Sequence, residues 1–486
     1  MIDALRNERL RKLSRLNEEG IIAYPARVKR TSTIQEVLSS FAQLKKNKKT
    51  CTVVGRVTGM RKQGALIFLD IKDENASIQF VLKRDKVKRF ALYKETLDIG
   101  DFVSGSGIVF KTKNGERSVE INKFDFISKS LRPTPSDWYG LKDVEVRSRK
   151  RYLDILLNPD VQELFRKKAI FWNTMRTYLL DNDFLEVYGS ALENIPGGAD
   201  AEPFMTHHNS LDTDFYLRIS LELPLKRLIV GGYEKVFEIG RIFRNEGIDA
   251  EHLQDYLQME MYWAYQDYNG LMKFIEALTK KVIKKTTGSL TTVWENKNIN
   301  WNVPWKRFDY YDLFQKHTQI DLTKATREEL MGKARELAIQ NMTKNMSRGR
   351  LIDLIFKHTV RPTLIQPGFL IDPPIEIEPL AKRTEYDTNR VERFQIVACG
   401  TELGKGFSEL NDPLDQKKRF EEQMKLREMG DKEAQMIDED YIEAMEYGMP
   451  PTAGFGISER FFAILMNRPV RETTLFPLMK KRKQHA

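Results

Sequence analysis

The chain has 486 residues, of which 41% are hydrophobic and 30% charged, with a formal charge of +10. That length and balance describe a folded protein of about three domains and exclude a disordered or fibrous one. No apolar run approaches the roughly 18 residues of a membrane span, and the charged N-terminus MIDALRNERLRKL lacks the apolar core of a secretory signal. Two cysteines, Cys51 and Cys399, exclude a disulfide framework and a four-cysteine zinc site, so a reducing cytoplasm is the expected location. The basic excess favours polyanionic partners. It is uneven: residues 1–50 hold twelve Lys+Arg against five Asp+Glu, and KKRK lies at 480–483.

In chain order, residues 1–20 predict a basic amphipathic helix with Leu5, Leu10, Leu13 and Leu16 at helical spacing, and 1–50 a basic helical extension. Between 51 and 130 five short alternating segments follow, CTVVGRVTGM, ALIFLDIK, ASIQFVLK, DFVSGSGIVF and SVEINKFDFIS, separated by turn residues. Five strands with little helix suit a closed OB-type barrel, a fold that binds single-stranded nucleic acid. Residues 131–150 carry two prolines and no periodicity and read as a linker. From 151 to 486 a long amphipathic helix (VQELFRKKAIFWNTMRTYLLDNDF) precedes strands mixed with helices, at 270–285, 323–360 and 416–447. With no regular βαβ rhythm, this predicts an α+β domain built on an antiparallel sheet flanked by helices.

Four groups carry candidate chemistry. The hairpin VFEIGRIFRNEGIDAEHLQDYLQMEMYWAY (236–265) puts Arg244, Glu246 and His252 on one loop. An arginine fork there can bind a phosphate or a carboxylate; the bland reading is a solvated salt bridge. Glu222, Glu260 and Glu402 each sit among apolar residues, where an unpaired carboxylate is costly, and Glu409 lies close by in GFSELND. They suit a cationic substrate, a magnesium ion, or internal pairing with Arg218, Lys226 or Arg227. In GMPPTAGFGISER (448–460) small residues let backbone approach a ligand, and Arg460 follows. In the barrel, Phe68 offers a ring for stacking and Arg61 and Gln79 can read base edges, with Glu116 beside them; against this, most strand phenylalanines are core. His207, His208 and His358 have no metal-like spacing.

These strings, together with IQFVL, SKSLRPTP, RYLDILLN, GGADAEPFMTHHNSLDTDFYLRISLELPLKRLIVGG, EIEPLAKR, DEDYIEAMEYGMPPTAGFG and LFPL, make the chain resemble the bacterial class II lysyl-tRNA synthetases over nearly its whole length. The resemblance implies ATP and Mg2+, L-lysine and tRNA(Lys) rather than DNA, and a homodimer with no membrane association. By matched position, Arg244 would hold the ATP α-phosphate and the amino-acid carboxylate. Glu246 and His252 would hold the adenine end and outer phosphates, with Tyr256 and Arg460 on the two adenine faces. Glu222, Tyr262 and Glu409 would bind the substrate ε-ammonium, and Glu260 with the Gly198 backbone its α-ammonium. Phe407 would pack beside the lysine chain, and Glu402, with Glu409 as a second carboxylate, would hold Mg2+. Arg61, Phe68, Gln79 and Glu116 match anticodon-reading positions.

The chain departs from that pattern at Ser190, Glu202, Glu251 and Gln395, at Tyr256, where the family has phenylalanine, and in a GFGISER run one residue short. Lys405 stands where the family has asparagine. Its ammonium is expected to bind the substrate carboxylate, the alternative being that it occupies the acidic pocket. Aspartyl- or asparaginyl-tRNA synthetases, a paralogue that lysylates an elongation factor, and a silent RNA-binding relative are the rival readings.

Overall fold

A computed structural model describes residues 2–134, 143–247, 253–340, 342–343, 346–430 and 434–480. The chain divides into two compact units, residues 1–142 and 143–486.

The first unit is built on a closed five-stranded barrel of Thr50–Gln63, Leu66–Lys72, Ser77–Lys83, Phe102–Lys111 and Arg117–Ser128. Ser77–Lys83 runs parallel to Arg117–Ser128, and the other pairings described are antiparallel. Period-two alternation sends Ile67, Leu69 and Ile71 fully into the core, while Leu66, Phe68 and Asp70 keep partial exposure. The sequence reads 1–50 as an extension, yet Leu16, Ala23, Ile34, Val37 and Phe41 belong to the same core as the barrel strands. Polar ties reinforce that packing. Arg9, on the helix Ile2–Glu18, donates to the carbonyls of Ile99, Ser130 and Arg132. A fully buried Lys129 ammonium is held by Asp98 at 2.6 Å and Asp101 at 2.8 Å. Of the predicted helix leucines, Leu16 is buried, Leu13 packs partly buried against the same core, Leu10 is half-buried and Leu5 is 45% exposed, so cover falls off toward the start of the helix.

The stretch read as a linker, 131–150, holds at its end the helix Val144–Arg149, whose first turn is capped by Asp143 accepting from the Glu145 and Val146 amides. The prolines that suggested a linker lie upstream of it.

The second unit is built on an eight-stranded sheet ordered Lys306–Asp309, Gly368–Ile371, Arg393–Ala398, Thr401–Ser408, Thr452–Ser458, Asp255–Ala264, Lys235–Phe243 and Leu185–Glu186. Its interior pairings are antiparallel, and the outermost pair at each end is parallel. One face is covered by the helices Pro159–Leu180 and Tyr268–Thr287. There Phe171, Met175, Leu271, Ile275 and Val282 pack on Phe237, Met259, Met261, Ile396, Phe455 and Ile457. Strand alternation turns Gln258, Glu260 and Tyr262 to the opposite face, where the cavity lies.

Gly107 shows how tightly the barrel closes. It sits at a register shift, and a Cβ there would lie 1.9 Å from the backbone oxygen of Glu120. Gly107→Ala is expected to lower stability by about 1–3 kcal/mol, because strand backbone rather than a side-chain tip must move. Urea unfolding of the full chain followed by far-UV circular dichroism measures this; an unchanged midpoint would contradict it.

Candidate functional site

The cavity floor is set by register. In one row across the central strands Glu260 faces Gly456, Gly456 faces Lys405, and Lys405 faces Gln395. In the next, Tyr262 faces Gly454, Gly454 faces Phe407, and Phe407 faces Arg393. The glycines of GFGIS thus lie between two strands of functional side chains. A Cβ on Gly454 would fall 2.2 Å from Glu409 Oε1 and 2.5 Å from the Tyr262 ring. The resulting cavity has a volume of about 550 Å3, and its wall includes Gly198, Glu222, Arg244, Glu246, Tyr256, Glu260, Tyr262, Glu402 and Arg460. Glu409 is not on that wall; it lies buried behind the gap that Gly454 leaves.

Glu222 begins the helix Glu222–Val230 and Lys226 lies one turn later, so both side chains share a face. Lys226 Nζ is 2.5 Å from Glu222 Oε1 and also contacts Glu409 Oε2, with all three groups buried. The sequence left Arg218, Lys226 and Arg227 open as partners. Arg218 is taken by Glu238 at 2.7 Å and Arg227 by Asp438 at 2.6 Å, so the internal cation is Lys226. Burial pushes the Glu222 carboxyl up to about 7, against the pull of Lys226. Glu409 is raised further for the same reason. Its Oε1 has no hydrogen-bond partner.

Glu260 is fully engaged: it accepts from Ser220 Oγ at 2.9 Å, the Leu221 amide at 3.1 Å, Gln258 Nε2, and the Tyr262 hydroxyl at 3.1 Å. Tyr262 therefore spends its proton on Glu260 rather than on the Glu222–Glu409 pair. Gly198 adopts φ +81°, and a Cβ there would meet the Glu222 Cβ at 2.8 Å and Ser220 Oγ at 3.0 Å, so its backbone passes close against Glu222.

The Arg244 guanidinium donates through Nε and Nη2 to the Ile219 carbonyl at 3.3 Å each and lies 5.7 Å from the Tyr256 ring centroid. Arg460 opens the short helix Arg460–Leu465 on the cavity rim. His252 and Glu251 lie outside the described residues.

One expectation needs correction, and one alternative, that Lys405 occupies the acidic pocket, falls away. Glu402 and Glu409 lie seven positions apart along and just past the strand Thr401–Ser408, roughly 23 Å at about 3.3 Å per residue, so they cannot share one metal ion. Glu402 is instead hydrogen-bonded by the Gln395 amide, and Glu409 is committed to Lys226. Lys405 does not occupy the acidic pair; its ammonium is 3.0 Å from Glu378, which also meets Arg393 at 3.3 Å. Glu378, in the quoted EIEPLAKR, and Arg393 were not singled out from sequence; their only signal was charge inside apolar strings.

In the first unit, Arg61 and Phe68 are cross-strand partners, and Gln79 pairs with Asp70 in the adjacent row. Phe68 is half-buried on the outer face and not in the core. Arg61 is exposed and 3.7 Å from Asp70. Gln79 is buried, with its carbonyl accepting from Ser118 Oγ at 3.0 Å. Glu116 lies exposed just before the strand Arg117–Ser128.

Removing the cation from the acidic pair tests this geometry. Lys226→Met is expected to lower stability by about 3–5 kcal/mol, since two buried carboxylates lose their counter-ion. Adding Glu409→Gln should recover part of that loss. Urea unfolding of both variants reads the difference, and additive losses would contradict the shared ion pair.

Comparison with known proteins fits this arrangement. Residues 143–480 match the family model of class II tRNA synthetases (D, K and N), and residues 51–127 that of the OB-fold nucleic acid binding domain. The chain is 43% identical to a lysine–tRNA ligase of Roseiflexus castenholzii over 99% of both chains. It is 42% identical to that of Carboxydothermus hydrogenoformans, over 98% of this chain and 97% of the relative. With the Bacillus subtilis enzyme the identity is 41%, over 97% and 96%. The chain belongs to the lysine–tRNA ligase family of class II aminoacyl-tRNA synthetases.

Proposed function

We propose that the chain activates L-lysine with ATP and transfers it to the 3′ end of tRNA(Lys), acting as a cytoplasmic homodimer. The observation that carries the choice of amino acid is the buried acidic pair: two carboxylates share one internal ammonium, and Glu409 Oε1 lacks a partner. A second ammonium, the ε-group of free lysine, completes that set. An aspartate or asparagine side chain brings no positive charge and leaves the two carboxylates with Lys226 alone, a mismatch of the kind that can discriminate by about 10⁴ or more.

In this reading the lysine chain lies along Phe407, with its ε-ammonium toward Glu222 and Glu409. Its α-ammonium lies toward Glu260 and the Gly198 backbone. Glu260 is already satisfied by four donors, so its part is to hold negative charge at a fixed place while Gln258 and Tyr262 orient around it. Arg244 gathers the substrate carboxylate and the ATP α-phosphate, bringing nucleophile and electrophile into line. Tyr256 and Arg460 flank the adenine, and Glu246 receives its polar edge.

The carboxylate oxygen attacks the α-phosphorus; the new P–O bond forms as the bond to the β-phosphate bridging oxygen breaks, and pyrophosphate leaves. The terminal ribose hydroxyl of the tRNA then attacks the adenylate carbonyl, releasing AMP. Arg244 supplies fixed positive charge in both steps. Among the described residues no group of three or more His, Cys, Asp or Glu could hold a metal. Glu402 alone suffices for magnesium carried in on phosphates, which needs only one or two protein carboxylates, and Gln395 would orient it. When bound, that ion neutralises phosphate charge. On the barrel, the outer row of Arg61 and Phe68 beside Gln79 and Glu116 is read as the anticodon surface.

ATP–pyrophosphate exchange with each of the twenty amino acids, with magnesium varied, tests the assignment. Exchange with lysine alone is the expected result. Exchange with aspartate or asparagine would overturn it, and no exchange with any amino acid would favour a silent RNA-binding relative.

A further inference from the structure

A second charge cluster on the cavity wall, in which Glu378 and Arg393 are buried and Lys405 is partly exposed, is unused by the reaction above. Glu378 follows the 3-10 turn Ile375–Ile377 and is only 3% exposed. One of its oxygens serves two cations, Lys405 Nζ at 3.0 Å and Arg393 Nε at 3.3 Å. Burial works to raise the Glu378 carboxyl, yet Lys405 and Arg393 hold it below the ordinary carboxylate range. Burial likewise opposes the Lys405 ammonium, and Glu378 more than restores it.

The position of Lys405 makes this pairing consequential. Lys405 and Phe407 are two apart on one strand and face the same side of the sheet. The Phe407 ring centroid lies 5.9 Å from Lys405 Nζ and 5.3 Å from Lys226 Nζ. Lys226 is the ammonium already seated between Glu222 and Glu409, whose Oε1 has no donor, and Lys405 lies beside the same Phe407 ring, near enough for the Glu222 charge to act on it. A lysine ammonium on a flexible four-carbon stem is the chemical twin of the substrate side chain. Released from its anchor, it is a tethered competitor for the same carboxylates.

We propose that Glu378 is a positioning residue that holds Lys405 away from the Glu222–Glu409 pair and thereby keeps the pocket open to free lysine. This deepens the lysine reading given above and rests on it. A tethered ammonium that fills the pocket nine-tenths of the time lowers apparent lysine affinity about tenfold, because binding scales with the open fraction.

Lysine affinity by calorimetry and steady-state lysine KM are to be measured for Glu378→Gln in two backgrounds, the unsubstituted chain and the Lys405→Asn chain. In the unsubstituted chain, Glu378→Gln should raise lysine Kd and KM about tenfold or more, with kcat and ATP KM moving by less than about twofold. In the Lys405→Asn background the same change should move lysine Kd by less than about twofold. Equal losses in both backgrounds would make Glu378 merely structural and overturn the proposal, as would no loss in the first. If Glu378→Gln does not fold, Glu378→Asp, which withdraws the carboxylate by one methylene, is read by the same criteria. Absence of lysine-dependent exchange in the unsubstituted chain would count against the lysine reading itself, which separates the two failures.

Discussion

Glu222 and Glu409 are both sealed from solvent, and Lys226 supplies one positive charge between them. Leaving water costs each ion several kcal/mol, repaid only when the charges are matched and hydrogen-bonded. Here the matching is incomplete. A buried oxygen of Glu409 has no donor, and burial pushes both carboxyls up against the pull of Lys226. The pocket carries an electrostatic debt that one further ammonium settles, and the neighbouring features serve that condition. Gly198 and Gly454 remove the side chains that would cover the pair, Phe407 lines the approach, and Glu378 keeps the nearest competing ammonium occupied.

The sheet makes this possible because antiparallel register converts three distant segments into adjacent rows. Glu260 and Tyr262 come from the hairpin, Gly454 and Gly456 from the C-terminal strand, and Lys405 and Phe407 from the strand beyond it. Met259, Met261, Phe455 and Ile457 alternate with them into the helix-covered core. A slip of one residue in any of these strands would exchange a carboxylate for a core methionine or phenylalanine, so core packing and site geometry are fixed together.

Much of this was legible in the sequence, for physical reasons that differ by element. The barrel strands announce themselves by period two, as Ile67, Leu69 and Ile71 show. The Glu222–Lys226 contact follows from a spacing of four on a helix, which the sequence left among three candidates. The union of residues 1–50 with the barrel core could not be read, because Leu16 and Phe41 meet it only through the tertiary fold. The Glu378–Lys405 pair joins a turn to a strand across 27 positions with no periodic relation. The pairing of Glu402 with Glu409 at one metal could have been rejected beforehand, since both lie along one extended segment.

The central claim is that free lysine enters as the missing cation of a buried, partly protonated carboxylate pair. Calorimetric titration with lysine across pH 6 to 8, in buffers of different ionisation enthalpy, tests it directly. Glu222 is raised to about 7, so near or below that pH the empty site holds a proton that the incoming ammonium must displace. Proton release on binding, with lysine affinity falling as pH drops through neutrality, is the predicted result. Binding with no proton exchange and a pH-independent affinity would contradict the account.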